Sequence, residues 1–141
     1  MKYYATILIL LGMATHLLAQ QTDLQGIEQT LGFYLDGGTN SDRAMVTKAF
    51  HPEAELKFVK DGKYQEISIA DFLARIKPGK KSDRITSIKY INITGHVASA
   101  NVEIEYADFK FIDYFNLLKI EGEWKIVNKI FYRQEKGEKG S

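Results

Sequence analysis

One segment constrains this chain more than any other: Phe111-Ile-Asp-Tyr-Phe-Asn-Leu-Leu-Lys-Ile-Glu-Gly-Glu-Trp-Lys-Ile-Val-Asn-Lys-Ile-Phe-Tyr132. Two apolar-rich runs flank Glu121-Gly122, a short glycine turn, which is the pattern of a long antiparallel β-hairpin. Apolar side chains occupy both parities of each run: Phe115 and Leu117 alternate with Ile112, Tyr114 and Leu118, and Trp124, Ile126 and Ile130 alternate with Val127 and Phe131. A strand with one wet face shows polar residues at one parity, so both faces of this hairpin should meet apolar material. One face can cover a core or pocket, and the other can meet a second subunit.

The rest of the chain supplies the cover. Thr22 to Asp36 predicts a helix, with Thr22 as cap, Gln25 at the capping-box position, and Leu24, Ile27, Leu31 and Leu35 at helical spacing beside Tyr34. Gly37-Gly38 is expected to end it. Ser41 or Asp42 opens a second, shorter helix with Met45 and Ala49 on its apolar face, and Pro52 is expected to stop it. Glu55 to Lys60 and Tyr64 to Ile67 read as strands joined by the hairpin dipeptide Asp61-Gly62. Ser68, with Asp71 three residues on, marks a third helix over Ile69 to Ile76, closed by Pro78-Gly79. Strands are then predicted at Arg84–Thr94 and Val97–Tyr106. In the latter, Ala98, Ala100, Val102, Ile104 and Tyr106 share one face, and Ser99, Asn101, Glu103 and Glu105 the other. Helices first and a long meander last predict an α+β domain, with N-terminal helices packed on a strongly curved antiparallel sheet. Long strands twist and coil, which shapes such a sheet into a cone with a central pocket.

The two ends of the chain read differently from this domain. Met1-Lys2, the apolar stretch Ala5 to Leu18 and the context Leu17-Leu18-Ala19 predict a signal peptide over residues 1–19 and an exported, periplasmic or secreted protein. The stretch is shorter than the roughly 20 residues of a membrane span. Residues 20–134 form the single predicted domain, and 135–141 a flexible polar tail. Without Lys2, the 19 Lys and Arg fall level with the 18 Asp and Glu, so no net field steers nucleic acid or anionic lipid. With no cysteine, disulfides, thiolate metal sites and a cysteine nucleophile are excluded. The sequence has no glycine-rich phosphate loop, no serine elbow and no HExxH motif, so no cofactor and no metal are expected.

In this setting the segments Tyr34-Leu-Asp-Gly-Gly, Asp42-Arg-Ala-Met-Val, Ala49-Phe-His-Pro-Glu-Ala-Glu-Leu-Lys-Phe58 and Asp113 to Phe131 are informative together. They resemble the putative lumazine-binding family of the nuclear transport factor 2-like superfamily, over Gln25 to Tyr132. The resemblance implies the conical α+β fold, a pocket, and frequent homodimers through the sheet. It implies no particular activity, since relatives in the superfamily include ketosteroid isomerase, scytalone dehydratase and non-catalytic modules.

Eight residues are candidates for the pocket. His51 has a side chain whose ordinary pKa near 6.5 suits acid–base work, and equally it can serve to end the second helix. Asp113 is a carboxylate inside an apolar strand, where an unpaired charge is costly. Facing the pocket it would be a general base for removing a proton beside a carbonyl; otherwise a strand neighbour, a tyrosine hydroxyl or a lysine must satisfy it. Tyr34, Tyr106, Tyr114, Trp124 and Tyr132 can line a cavity for a flat heteroaromatic or lipid-like ligand, and Asn128, on the parity of Trp124 and Ile126, can hydrogen-bond it. Three readings stand: a ligand-binding or interaction domain for a small apolar or heteroaromatic molecule; a cofactor-free isomerase, dehydratase or cyclase with Asp113 as base and His51 or a tyrosine as hydrogen-bond donor; and a purely structural dimer whose cavity is filled by its own side chains.

Overall fold

The computed structural model describes residues 2–137, with side chains described from Gln20 onward. The element order is α1 (Lys2–Thr39), α2 (Arg43–Ala49), β1 (Phe50–Lys60), β2 (Lys63–Ser68), α3 (Ile69–Arg75), β3 (Ile85–Thr94), β4 (Val97–Glu105), β5 (Phe109–Ile120) and β6 (Glu123–Glu135). The predicted cleavage after Ala19 concerns side chains outside the described set. Among the described residues no helix is long and apolar enough to cross a membrane.

All six strands form one sheet, in the order β2-β1-β6-β5-β4-β3. The architecture is the α+β arrangement expected, with one difference: β1 runs parallel to β6, while the other four pairings are antiparallel. Pro52 lies inside β1, and the β1–β6 register jumps between Phe50↔Ile126 and Glu55↔Asn128. Proline has no N–H to give the ladder, so pairing lapses around it. The second helix therefore ends before Pro52, at Ala49, and Phe50 is already extended.

The turns follow their residues. Asp61 and Gly62 both have positive φ, as do Glu121 and Gly122, the backbone a two-residue hairpin turn requires. Asp42 caps α2 by accepting from the Met45 N–H, and Ser68 caps α3 by accepting from the Asp71 N–H.

Helix α1 departs from the expectation at both ends. It is already helical before Thr22, because Ala19-Gln20-Gln21 contains no helix breaker, so Thr22 is an interior residue and not a cap. Gly37 and Gly38 do not end it either. A Cβ on Gly37 would stand 2.8 Å from Val46 Cγ2, and one on Gly38 would collide with the Arg84 guanidinium. These glycines serve close approach, and the positive φ falls on Ser41, beyond the helix.

The core lies between the helices and the concave face of the sheet. Ile27, Leu31, Tyr34 and Leu35 of α1 and Val46 and Ala49 of α2 meet Ala100, Val102 and Ile104 of β4, Phe115 and Leu117 of β5, and Trp124 and Ile126 of β6. The β4 alternation holds as predicted, except that Asn101, on the outer parity, is also buried, its side-chain amide donating to the Asp113 carbonyl at 3.0 Å.

Candidate functional site

A cavity of about 390 Å³ opens inside the cone. Its wall is largely apolar: Leu56 and Phe58 of β1, Phe72 of α3 and Ile76 just beyond it, Ile104 of β4, Phe111 of β5 and Phe131 of β6. The polar groups on it are Tyr34, Arg75, Arg84, Tyr106 and Lys129. This size and apolar–polar mixture are those of a small-molecule site.

Its floor is a three-residue cluster drawn from α1, β5 and β6. The Tyr34 hydroxyl donates to Asp113 Oδ2 at 2.7 Å. Lys129 Nζ donates to the same Oδ2 at 2.8 Å and to the Tyr34 oxygen at 2.7 Å. Asp113 is 0% exposed and Lys129 5%. Tyr34 is held in place by the edges of Phe50 and Phe115, at ring-centroid distances of 5.7 and 5.3 Å. The Lys129 ammonium stands over three rings, Phe131 at 4.8 Å, Tyr34 at 5.0 Å and Phe72 at 5.6 Å, contacts that favour a cation.

Burial, together with the neighbouring Asp113 carboxylate, holds the Tyr34 phenol well above its ordinary pKa, so it stays a neutral donor across physiological pH. Asp113 Oδ1 is buried and has no hydrogen-bond partner among the described residues. A buried ion pair is weak evidence for stability, since desolvation offsets most of the attraction. A pair that also orients a tyrosine and leaves one buried carboxylate oxygen without a partner among the described residues has the make-up of a site.

Near the mouth, Arg84 organises a second cluster. Its guanidinium donates to the Leu35 carbonyl at 2.8 Å, Thr39 Oγ1 at 2.9 Å and the Tyr106 hydroxyl at 3.1 Å. It thereby closes the C-terminal end of α1 and fixes Tyr106, whose ring stacks on Phe109 at 4.7 Å. Arg75 lines the mouth and is exposed.

The predicted site residues therefore separate. Tyr34 and Tyr106 reach the cavity wall, and Asp113 lies directly behind Tyr34 and Lys129 rather than on the wall. Tyr114 and Tyr132 do not line it: they are exposed on the opposite face of the sheet, because strand alternation points them away from the core. His51 does not join them. It sits at the start of β1, where its Nδ1 accepts from the Glu53 N–H at 3.2 Å, in a hollow with Pro52, Ile120 and Glu121. Trp124 belongs to the opposite end of α1, where its indole N–H donates to Asp23 Oδ1 at 3.1 Å. The groove there, about 450 Å³, is walled by polar groups such as Gln29, Lys48 and Glu123, so it offers little apolar burial to a ligand.

Asn128 is displaced by a bulge. Asn116 pairs with Asn128 and Leu117 with Ile126, which leaves Val127 unpaired. One extra residue reverses the parity of all that follows. Lys129 and Phe131 consequently take the inner face that Trp124 and Ile126 hold earlier in the strand, and Asn128 turns away. Sequence reasoning missed Lys129 for this reason, and it missed Arg84, which precedes its strand. The available signal was a lysine among Val127, Ile130 and Phe131, in the strand predicted to pair with that of Asp113.

Comparison with known proteins agrees with this geometry. The chain is 25% identical over 123 residues to the aldolase FrzH of a Cladobotryum species, covering 85% of this chain and 97% of that one. Among solved structures, an NTF2-like protein of unknown function from Shewanella baltica is 30% identical with a TM-score of 0.73, covering 80% of this chain and 94% of its own. An NTF2-like protein of unknown function from Methylobacillus flagellatus is 33% identical with a TM-score of 0.70, covering 80% and 93%. A family model described as Putative lumazine-binding matches residues 22–132, and with the conical fold and these relatives it makes the chain a member of that family, within the nuclear transport factor 2-like superfamily.

Proposed function

We propose that this protein binds a small organic molecule inside the cone, with Lys129 and Tyr34 as the polar floor and the aromatic wall as the apolar grip. The observation that carries this reading is the convergence of a buried ammonium and an oriented phenol on one apolar cavity of about 390 Å³. Lys129 has three N–H donors and spends two on Tyr34 and Asp113, so one remains for a ligand oxygen. Asp113 is then a positioning residue: it holds both partners in place without touching the ligand. Filling the cavity through Ile104→Trp should abolish binding of any compound found in a ligand screen, with the fold retained by circular dichroism. Unchanged binding in that variant would refute the reading.

A second reading is favoured by one observation, the similarity of nearly the whole chain to a protein named an aldolase. Carbon–carbon bond making or breaking beside a carbonyl needs a donor to the developing enolate oxygen and a base nearby. Lys129 and Tyr34 suit the first role, and Asp113, whose buried Oδ1 has no hydrogen-bond partner among the described residues, is the carboxylate nearest them for the second. His51 has no part in it. Exchange of deuterium from solvent into a ketone or aldehyde, lost in Asp113→Asn and in Lys129→Met, is the signature of this reading.

The convex face supports a homodimer. Val59, Tyr64, Tyr114, Ile130 and Tyr132 are 71, 63, 45, 50 and 57% exposed and line a continuous apolar hollow on the face the helices leave open. A self-complementary pairing of standard size buries on the order of 1,200–2,000 Å². Light scattering of the domain at high micromolar concentration checks it, a strictly monomeric mass being the adverse result. Export is likewise proposed from Lys2, the apolar stretch and Ala19. Removal of residues 1–19 keeps the α1 packing residues Ile27, Leu31, Tyr34 and Leu35, and an intact mass retaining Met1 in native protein would refute it.

A further inference from the structure

The charged side chains on the cavity wall are of one sign. Three cationic side chains stand on its wall, Arg75, Arg84 and Lys129, and no Asp or Glu does. Lys129 is compensated by Asp113 behind it. Arg84 gives its hydrogen bonds to a carbonyl and two hydroxyls, all neutral, so its charge meets no carboxylate. The Arg75 side chain forms no hydrogen bond and no ion pair among the described residues. Low-dielectric walls focus such a field into the cavity rather than letting water dissipate it.

We infer that the cavity selects an organic anion: a molecule with a flat or branched apolar body and one carboxylate, enolate or phenolate oxygen group. This rests on the ligand-binding reading above and specifies the chemistry it would favour. The apolar body would lie against Phe58, Phe72, Phe111 and Phe131. The anionic group has two places to go. At the floor it would take the third N–H of Lys129, and at the mouth it would meet Arg75 beside Arg84. A neutral ligand of the same shape would gain the apolar contacts and leave both cations of the mouth uncompensated. A small inorganic anion would gain the charge and leave the aromatic wall wet. Only a molecule carrying both parts uses the whole site.

The test compares naphthoate with its neutral isostere naphthamide by calorimetry on the intact chain. Naphthoate should bind at least about ten-fold tighter at low ionic strength, and the gap should narrow as salt is added. Arg75→Gln, a substitution at the exposed rim, should weaken naphthoate several-fold and naphthamide by much less. Lys80→Gln with Lys81→Gln, in the loop outside the cavity, should change neither, and acetate at the same concentration should not compete. Equal binding of naphthoate and naphthamide would overturn the inference while leaving the cavity reading intact. Loss of naphthoate binding in the loop variant would overturn it too, by placing the anion outside the cone. Failure of both compounds to bind up to millimolar concentration would remove the cavity reading, and this inference with it.

Discussion

The two faces of the β5–β6 hairpin are built from the same kind of residue and end in opposite situations. On the concave face, Phe115, Leu117 and Ile126 are essentially inaccessible, and among them sit a buried aspartate and a buried lysine. On the convex face, Tyr114, Ile130 and Tyr132, in the same two strands, are about half exposed. Apolar character therefore does not locate the interior of this protein. What distinguishes the faces is the cover: α1 and α2 lie across the concave side, and no element among the described residues lies across the convex one. Charge is more telling than hydrophobicity, because the concave face tolerates Asp113 only with Lys129 and Tyr34 attached to it.

The largest test of this contrast is Asp113→Asn. It leaves the Lys129 ammonium buried without a counter-charge, so unfolding free energy should fall by about 3–5 kcal/mol, the scale for breaking one half of a buried ion pair. Urea denaturation measures it, and a loss under about 1 kcal/mol would mean the cluster is wetter than its burial indicates.

Tyr34→Phe sharpens the picture by removing one hydroxyl from the same cluster. At neutral pH it should cost about 1–3 kcal/mol, the penalty for leaving buried partners short of a hydrogen bond. Its pH signature is more specific. The folded phenol is held well above the value of about 10 at which a phenol in the unfolded chain ionises. The folded state thus retains a proton that the unfolded state releases, and Tyr34 contributes stability below about pH 10 that is lost as pH rises beyond it. The Phe variant should lack that alkaline loss, so its disadvantage should shrink between about pH 9 and 11. Melting curves that stay parallel across this range would show that the phenol ionises freely in the fold.

Ile130→Glu probes the other face and should have the smallest effect on the fold. In a monomer, a charge at a half-exposed position changes stability by no more than about 0.5 kcal/mol. Its consequence should appear in assembly instead, with the scattering mass halved relative to the unmodified domain. A substantial loss of monomer stability would show that the convex face is part of the core after all.

Much of the fold was legible because its signals are local. Asp61-Gly62 and Glu121-Gly122 specify turns through backbone conformations that few other residue pairs accept, and Ser68 with Asp71 specifies a helix start through two hydrogen bonds within one turn. The alternation Ala98, Ala100, Val102, Ile104 reports its own buried face. The start of α1 was misread because Thr22 has the composition of a cap, while the residues before it are themselves helical.

The sequence by itself determined the strands, the turns, the helical cover and the fact that Asp113 needed a partner. Only the tertiary structure decided which partner. Tyr34 and Asp113 are 79 residues apart along the chain, and no local pattern relates them. Lys129 reaches Asp113 because Val127 drops out of the ladder, and one unpaired residue turns the remainder of β6 over. Strand parity is a count, and a count carried along a chain fails at the first insertion that pairing does not register. The bulge is set by how β6 fits between β5 and β1, a property of three strands together, and it is the bulge that brings the ammonium into the cavity.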